Sequence, residues 1–352
     1  MAGGIGSRFW PVSRARNPKQ FLDMDGSGSL LRKTYDRLRR VIPEDHIIVA
    51  TLSRYRSAVK EQLPQLPNGN LLMEPYNRNT APCLAYAAYT LLKRDPEAVM
   101  VVAPADHLIS GEDEFEKILR SAFEYAESSG ELVAIGIVPT RPDANFGYIQ
   151  MASPSRDGRP VKIKTFTEKP DTALAELFIS TGEFLWNSGI FVWTAAAIKE
   201  ELERLAPEAA HLFRGWEDVI GGPGEREFIE RIYTDMPRLA IDYAVMEKTG
   251  RARVLPATFG WSDFGTWEAW HERACQGNPD ENAVRVDGKT LLRDASRDII
   301  ICDDPHKLIA IRGLDNYVVV DTDDVLMICP RGNGPQKDFT ADLALPDYEE
   351  FR

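Results

Sequence analysis

The sequence predicts an α/β fold, a mixed, mainly parallel sheet covered by helices, followed by a small all-β, β-helix-like domain. Three observations predict it. Between Leu30 and Tyr125 short apolar runs of β type alternate with helical patterns, as in a sheet buried on both faces. From Leu132 to Trp193 β-like runs become more frequent. Beyond Asn278 only short strand-like runs remain, divided by Asp, Gly and Asn. The expected domains are residues 1–277 and 278–352, the second closing in a polar tail from Arg331. With 43% hydrophobic and 27% charged residues, a chain of 352 residues can bury a core of this size.

In order, Ser29-Leu30-Leu31 opens a helix with Tyr35 and Leu38 on one face, stopped before Pro43. A strand is expected at Ile47–Ala50, a helix at Ser53–Leu63, a strand at Leu71–Met73 and an Ala-rich helix at Thr80–Leu92. Val99–Val102 reads as a buried strand and Glu114–Tyr125 as a helix. Strands follow at Leu132–Ile137, Gly147–Met151, Val161–Phe166 and Ile190–Trp193. Helices are expected at Ala195–Leu205, Glu208–Val219, Arg226–Tyr233 and from Ile241. The last strand-like runs are Thr290–Leu292, Ile299–Cys302, Lys307–Ile311, Tyr317–Val320 and Val325–Ile328.

A formal net charge of −12 argues against nucleic acid or an acidic membrane as the main partner. Any phosphorylated ligand must be held by a local cluster of Arg and Lys. No apolar run approaches the length of a bilayer span, and no signal-like segment opens the chain, so a cytoplasmic protein is expected. Cys83, Cys275, Cys302 and Cys329 form no CxxC pair, and reduced thiols are expected.

The first twenty-one residues, MAGGIGSRFWPVSRARNPKQF, carry the sharpest signal. Gly3, Gly4 and Gly6 leave a bare backbone whose N–H groups can approach a polyphosphate. Arg8, Arg14, Arg16 and Lys19 put positive charge beside it, and Pro11 and Pro18 stiffen the segment. A Walker A loop is excluded because Lys19 stands too far beyond Gly6, and a dinucleotide fingerprint because Phe9 stands where a small residue is needed. A structural turn would imitate part of the pattern.

Ligands of such sheets bind at the carboxyl ends of strands. Glu74, after the Leu71–Met73 run, can accept from the N1–H and N2–H of a guanine edge. Arg78, Asn79 and Thr80 follow it; alternatively Thr80 caps the next helix and Asn79 makes a turn. Asp106, directly off Val99–Val102, is placed to hold Mg²⁺ between phosphate oxygens, or to cap the next element. His107 reads better as a packing neighbour, because Mg²⁺ prefers oxygen. Asp263, in Gly260-Trp261-Ser262-Asp263-Phe264-Gly265, closes the same metal site or makes an Asx-turn. Gly147 lets a ring approach the backbone. Glu168 can accept from sugar hydroxyls, Lys169 can pair with a phosphate, and Asn187 offers donor and acceptor to vicinal hydroxyls; Glu168 and Lys169 also read as a solvated charged pair. Asp242 near a helix N-terminus reads equally as a favourable dipole partner.

Gly3-Gly4-Ile5-Gly6-Ser7-Arg8 through Pro18-Lys19-Gln20-Phe21 resembles the signature of the sugar-nucleotide pyrophosphorylases. Phe9-Trp10-Pro11-Val12-Ser13-Arg14, Glu74 to Pro82 and Ile241 to Lys248 resemble the mannose-1-phosphate guanylyltransferases within that group. The resemblance implies a Rossmann-like nucleotidyltransferase domain that makes GDP-mannose and pyrophosphate from GTP and α-D-mannose 1-phosphate. It implies catalytic Arg8 and Lys19, and nucleotide binding by Ala2, Gly3, Gly4, Gly6, Ser7, Glu74, Arg78, Asn79 and Thr80. It further implies sugar-phosphate binding by Gly147, Glu168, Lys169 and Asn187, and Mg²⁺ on Asp106 and Asp263. The C-terminal part often makes dimer contacts in this family, so a homodimer is an expectation. Rival readings are another sugar 1-phosphate or base, or a non-catalytic nucleotide-sugar-binding regulator. The family places an apolar strand before the loop, whereas Met1 stands almost at the loop, so the natural chain is expected to begin upstream.

Overall fold

The structure, a computed structural model, describes the whole chain except residues 5, 156, 157, 333–338, 340, 344 and 352, and omits the Ser7 side chain. Its contacts divide it into two compact units. The first holds Met1–Gly3, Tyr35–Ala105 and Ile109–Trp261; the second holds Gly4–Thr34, Asp106–Leu108 and Ser262–Arg352.

The helices are α1 (Leu30–Leu38), α2 (Arg56–Gln62), α3 (Thr80–Arg94), α4 (Glu112–Ser129), α5 (Thr172–Thr181), α6 (Ala195–Leu205), α7 (Pro207–Ala210), α8 (Trp216–Val219), α9 (Glu225–Asp235) and α10 (Trp267–Ala274). The strands of the first half are β1 (Val49–Leu52), β2 (Leu71–Glu74), β3 (Val99–Val102), β4 (Leu108–Ser110), β5 (Leu132–Ile137), β6 (Tyr148–Met151), β7 (Val161–Thr167), β8 (Phe184–Thr194), β9 (Ala252–Ala257) and β10 (Gly260–Ser262). Those that follow are β11 (Ala283–Val286), β12 (Lys289–Arg293), β13 (Ile299–Cys302), β14 (Leu308–Arg312), β15 (Tyr317–Asp321) and β16 (Leu326–Pro330).

In the first unit β1 and β2 pair in parallel, and a six-stranded sheet runs β3-β8-β5-β9-β7-β6. All six residues of β5 are buried, as an uninterrupted apolar run requires when both faces are covered. The sheet is mixed, but mainly parallel pairing is corrected here: among the described residues of that sheet β5 and β9 are the only neighbouring strands paired in parallel. The reason is β8, which extends well beyond the expected Ile190–Trp193 and lies antiparallel between β3 and β5. Alternation along a chain reports where strands are, not which way each enters the sheet.

Local chemistry sets several helix ends. The Asn79 side chain accepts from the Thr80 N–H and caps α3. At the end of α4, Gly130 takes φ +66° and closes the last turn. The single helix expected at Glu208–Val219 is broken instead, because Gly215 at φ +80° separates α8 from the turns before it. The Ile241 segment forms a π-helical turn, Asp242–Met246.

In the second unit β11, β13 and β15 stack in parallel, and β12 and β14 stack likewise on another face. Ile299 lies on Val318 and Lys289 on Leu308, so successive coils repeat in register, the β-helix-like arrangement expected. The edge strand β16 is antiparallel to β15. Phe9, fully buried, packs on Phe264 and Trp267 at 5.7 and 4.8 Å between ring centroids, and shares a core with Ile299, Val318 and Val320. The residue that spoils a dinucleotide fingerprint is therefore the apolar anchor of the N-terminal loop. Among the described residues no helix is long and apolar enough to cross a membrane.

Candidate active site

In the second unit the Gly-rich loop is shaped around Lys19. Gly6 takes φ +66°, and a Cβ there would lie 2.5 Å from the Lys19 Cβ and 3.0 Å from the Ser13 Oγ. A larger residue would be both strained and obstructed. Gly4 is exposed with open space around its Cα, and its carbonyl accepts from the Gln20 side chain at 2.9 Å.

The Lys19 side chain is almost wholly buried. Its ammonium lies 3.0 Å from the Asp106 Oδ2 and donates to the main-chain oxygen of Asp263 at 2.6 Å. Burial acts to raise the Asp106 carboxyl, but Lys19 and His107 outweigh it and hold it down at about 2. Arg8 is half exposed, with one guanidinium nitrogen 3.6 Å from the Asp263 Oδ2. Gly265 makes that pairing possible, since a Cβ there would collide with the Asp263 carboxylate and crowd Arg8. Sequence-distant Arg8, Lys19, Asp106 and Asp263 thus meet in one unit. The side chain of Ser7 lies outside the described groups.

The other basic residues of the loop are engaged elsewhere. Arg14 is buried, and its guanidinium forks onto Asp324 at 2.7 and 2.6 Å; Arg16 reaches the same carboxylate at 3.3 Å. The expectation that both add charge to a phosphate site is thereby corrected for Arg14, whose charge is taken up by Asp324; Arg16 shares that carboxylate and stays largely exposed.

Asp106 offers a carboxylate beside Lys19, and Asp263 one beside Arg8. Among the described residues no three His, Cys, Asp or Glu side chains are placed to share one ion. Two carboxylates without a full protein cage suit Mg²⁺, which keeps its waters and takes remaining ligands from phosphates.

In the first unit Glu74 ends β2 and is 4% exposed. Tyr233 on α9 donates to its Oε1 at 2.9 Å. Its Oε2 faces the bare Cα of Gly3, where a Cβ would lie 3.7 Å away. Burial pushes the Glu74 carboxyl up to about 7, against the opposing pull of Tyr233, Cys83 and the N-terminal ammonium. Ala2, expected to touch nucleotide, has its N–H on the Ala50 oxygen at 2.7 Å and its carbonyl under the Thr51 hydroxyl at 2.8 Å. Arg78 donates to the carbonyls of Tyr233 and Thr234, both at 3.0 Å. Asn79, at φ +70°, caps α3, and the Thr80 hydroxyl accepts from the Ile241 N–H at 2.8 Å. These polar groups tie Ala2 to β1 and the Arg78–Thr80 segment to α3, the end of α9 and Ile241.

A second cluster of the first unit joins Gly147, Glu168, Asn187 and Asp242. A Cβ on Gly147 would collide with the Glu168 Oε2, and the Asn187 amide donates to Asp242 Oδ1 at 2.9 Å. Burial first, then the like charge of Glu168, raises the Asp242 carboxyl. Lys169, exposed and at φ +45°, pairs with Glu168. Asp242 is the residue that sequence reasoning left at a helix terminus, and no local pattern pairs it with Asn187 or Glu168.

Comparison with known proteins bears on the family and the fold. The family model for nucleotidyl transferases matches residues 1–278. The chain is 35% identical over 342 residues to the mannose-1-phosphate guanylyltransferase of Klebsiella pneumoniae, covering 94% of this chain and 70% of that one. It is 37% identical over 339 residues to the xanthan biosynthesis protein XanB of Xanthomonas campestris, covering 93% and 68%. A crystal structure described as mannose-1-phosphate geranyltransferase from Thermus thermophilus superposes with a TM-score of 0.85 at 28% identity, covering 98% of both chains. With its loop, its acids and its fold all accounted for, the chain belongs to the nucleotidyl transferase family.

Proposed function

We propose that the protein transfers GMP from GTP to α-D-mannose 1-phosphate, giving GDP-mannose and pyrophosphate. A phosphate oxygen of the sugar phosphate forms a bond to the α-phosphorus of GTP while the bond to the departing pyrophosphate breaks in line. The attacking oxygen is already anionic at neutral pH, so no general base and no covalent intermediate is needed. Catalysis is then positioning plus neutralisation of charge.

The observation that carries the reading is the placement of Lys19 between Asp106 and Asp263, with Arg8 beside them. Lys19 is a fixed charge, because burial and two acceptors restrain its ammonium. Arg8, half exposed, is free to follow the leaving group. Asp106 and Asp263 would hold Mg²⁺, which supplies further neutralisation of phosphate oxygens when bound. Gly3, Gly4, Gly6 and Ser7 offer backbone to the phosphates. Glu74 reads the guanine edge through its acceptor oxygens, and Asn187, Glu168 and Asp242 offer a polar wall to the sugar hydroxyls, with Lys169 for the sugar's phosphate. The names of the relatives support guanine and mannose over other bases and sugars.

The test is pyrophosphate release from GTP with and without mannose 1-phosphate, in Mg²⁺ and then in EDTA. Release should require both substrates and stop in EDTA. Release from GTP alone, or preference for ATP, UTP or dTTP in competition, would overturn the assignment.

A further inference from the structure

Glu74 is an unusual choice for a base reader. A carboxyl group that is almost fully buried resists ionisation, yet only the ionised form accepts from both N1–H and N2–H of guanine. Protonated, it offers an O–H where an acceptor is needed. Some group must therefore favour the charged form and keep it from rotating.

Building on the role of Glu74 above, we propose that Tyr233 is its positioning residue: its hydroxyl holds Oε1 so that Glu74 meets the nucleobase ionised and in one orientation. Tyr233 is fully buried, and its hydroxyl lies 2.9 Å from Oε1. Its backbone is fixed by the loop that it serves. Arg78 donates to the carbonyls of Tyr233 and Thr234, the Leu239 N–H donates to the Arg78 oxygen at 3.1 Å, and the Ala81 N–H donates to Leu239 at 2.9 Å. The Glu74–Pro82 loop and the end of α9 are thus laced together, and the hydroxyl–carboxylate contact lies at one end of the lacing. A carboxylate oxygen accepts more than one hydrogen bond, so the contact leaves room for a base donor.

The other groups that face Glu74 are the Cys83 thiol and Tyr86 hydroxyl of α3 and the N-terminal ammonium. The Cys83 thiol is likewise buried and bonded to Glu74, but a thiol is a weak donor, and Tyr233 supplies the strong one, fully buried and on one named oxygen. With the carboxyl already pushed up to about 7, loss of a donor that favours the charged form shifts it further toward protonation at neutral pH.

The experiment measures KM and kcat for GTP in the wild type and in Tyr233→Phe at each pH from about 5.5 to 8.5, across the Glu74 titration. The ratio of variant to wild type cancels the titration of the substrates' own phosphates. In the variant the acid-side loss of GTP affinity should move up by about one pH unit. At pH 7 the KM for GTP should rise roughly 3- to 10-fold, with kcat at saturating GTP and KM for the sugar phosphate unchanged. In a Glu74→Gln background, Tyr233→Phe should produce no pH-dependent change. 3-Fluorotyrosine at position 233, a stronger donor of the same size, should move the limb to lower pH and guards against misfolding of the first variant. A ratio flat across pH in a wild type that does use GTP overturns the role of Tyr233 alone. A wild type that releases no pyrophosphate from GTP overturns both.

Discussion

Lys19 and Asp106 face each other at 3.0 Å, although they stand eighty-seven positions apart in sequence. The ammonium also binds the main-chain oxygen of Asp263, so one cation ties together the two candidate metal-binding acids. Removing it should leave the Asp106 carboxylate and the Asp263 main-chain oxygen without their common partner. Lys19→Ala is expected to lower turnover about a hundredfold or more, the scale of losing one preorganised electrostatic donor. Near-normal turnover at saturating GTP in that variant would remove Lys19 from the mechanism.

Gly265 tests Asp263 and Arg8 without deleting either. The added Cβ in Gly265→Ala displaces the ends of flexible side chains rather than backbone, so folding should survive. Turnover should fall roughly tenfold or more, since a small misplacement of positioned charge is costly to rate. A variant with wild-type turnover would show that the pairing of Asp263 with Arg8 is incidental.

Gly147 gives the matching test on the sugar side. In Gly147→Ala the Glu168 carboxylate must move. The KM for the sugar phosphate should rise and that for GTP should stay. Equal effects on both substrates would indicate a general disturbance of the fold instead.

Asp324 is expected to matter for stability. Its carboxyl is held at about 2, first by the hydrogen bonds from Arg14. A depressed pKa contributes stability above its ordinary range, and that stability is lost as pH falls through about 2. Asp324→Ala deprives the buried Arg14 guanidinium of its carboxylate, leaving it only the Pro11 carbonyl and the Thr322 hydroxyl, and should cost about 2 kcal/mol at neutral pH. Denaturant unfolding at pH 7 checks this; an unchanged midpoint would show the pair to be without weight.

Glu74 carries the opposite sign. Its folded carboxyl is raised from 4.5 to about 7, so the folded state holds a proton that the unfolded chain releases in that window. The stability contributed by the protonated form falls as pH rises from 4.5 to about 7. Glu74→Gln removes this dependence, so its unfolding free energy relative to wild type should climb between pH 5 and pH 8, by an amount on the order of 3 kcal/mol at most. A constant difference across that range would mean that Glu74 titrates normally.

The glycines, Arg8, Lys19 and the strand-end acids were legible because each lies in a short local pattern with its own chemistry. The β-helix-like coils were legible for the same reason, from repeated short apolar runs. What Arg14, Arg78 and Ala2 do was not. Their side chains or backbone groups have the right chemistry for phosphate, and only their partners, Asp324, the end of α9 and β1, show that they are engaged in holding structure. Tyr233 was hidden for the converse reason, since it sits in no pattern that announces a ligand, and Asp242 could be read equally as a helix-terminus acid.

The linear order of residues determined the α/β class, the composition of the cationic loop and which strand ends carry acids, because those follow from periodicity and from chemistry within a few neighbours. Strand direction in the central sheet, the joining of Lys19 to Asp106 and Asp263, and the grip of Tyr233 on Glu74 were decided only by tertiary structure. Such pairings depend on where distant segments come to lie, and no local spacing encodes that.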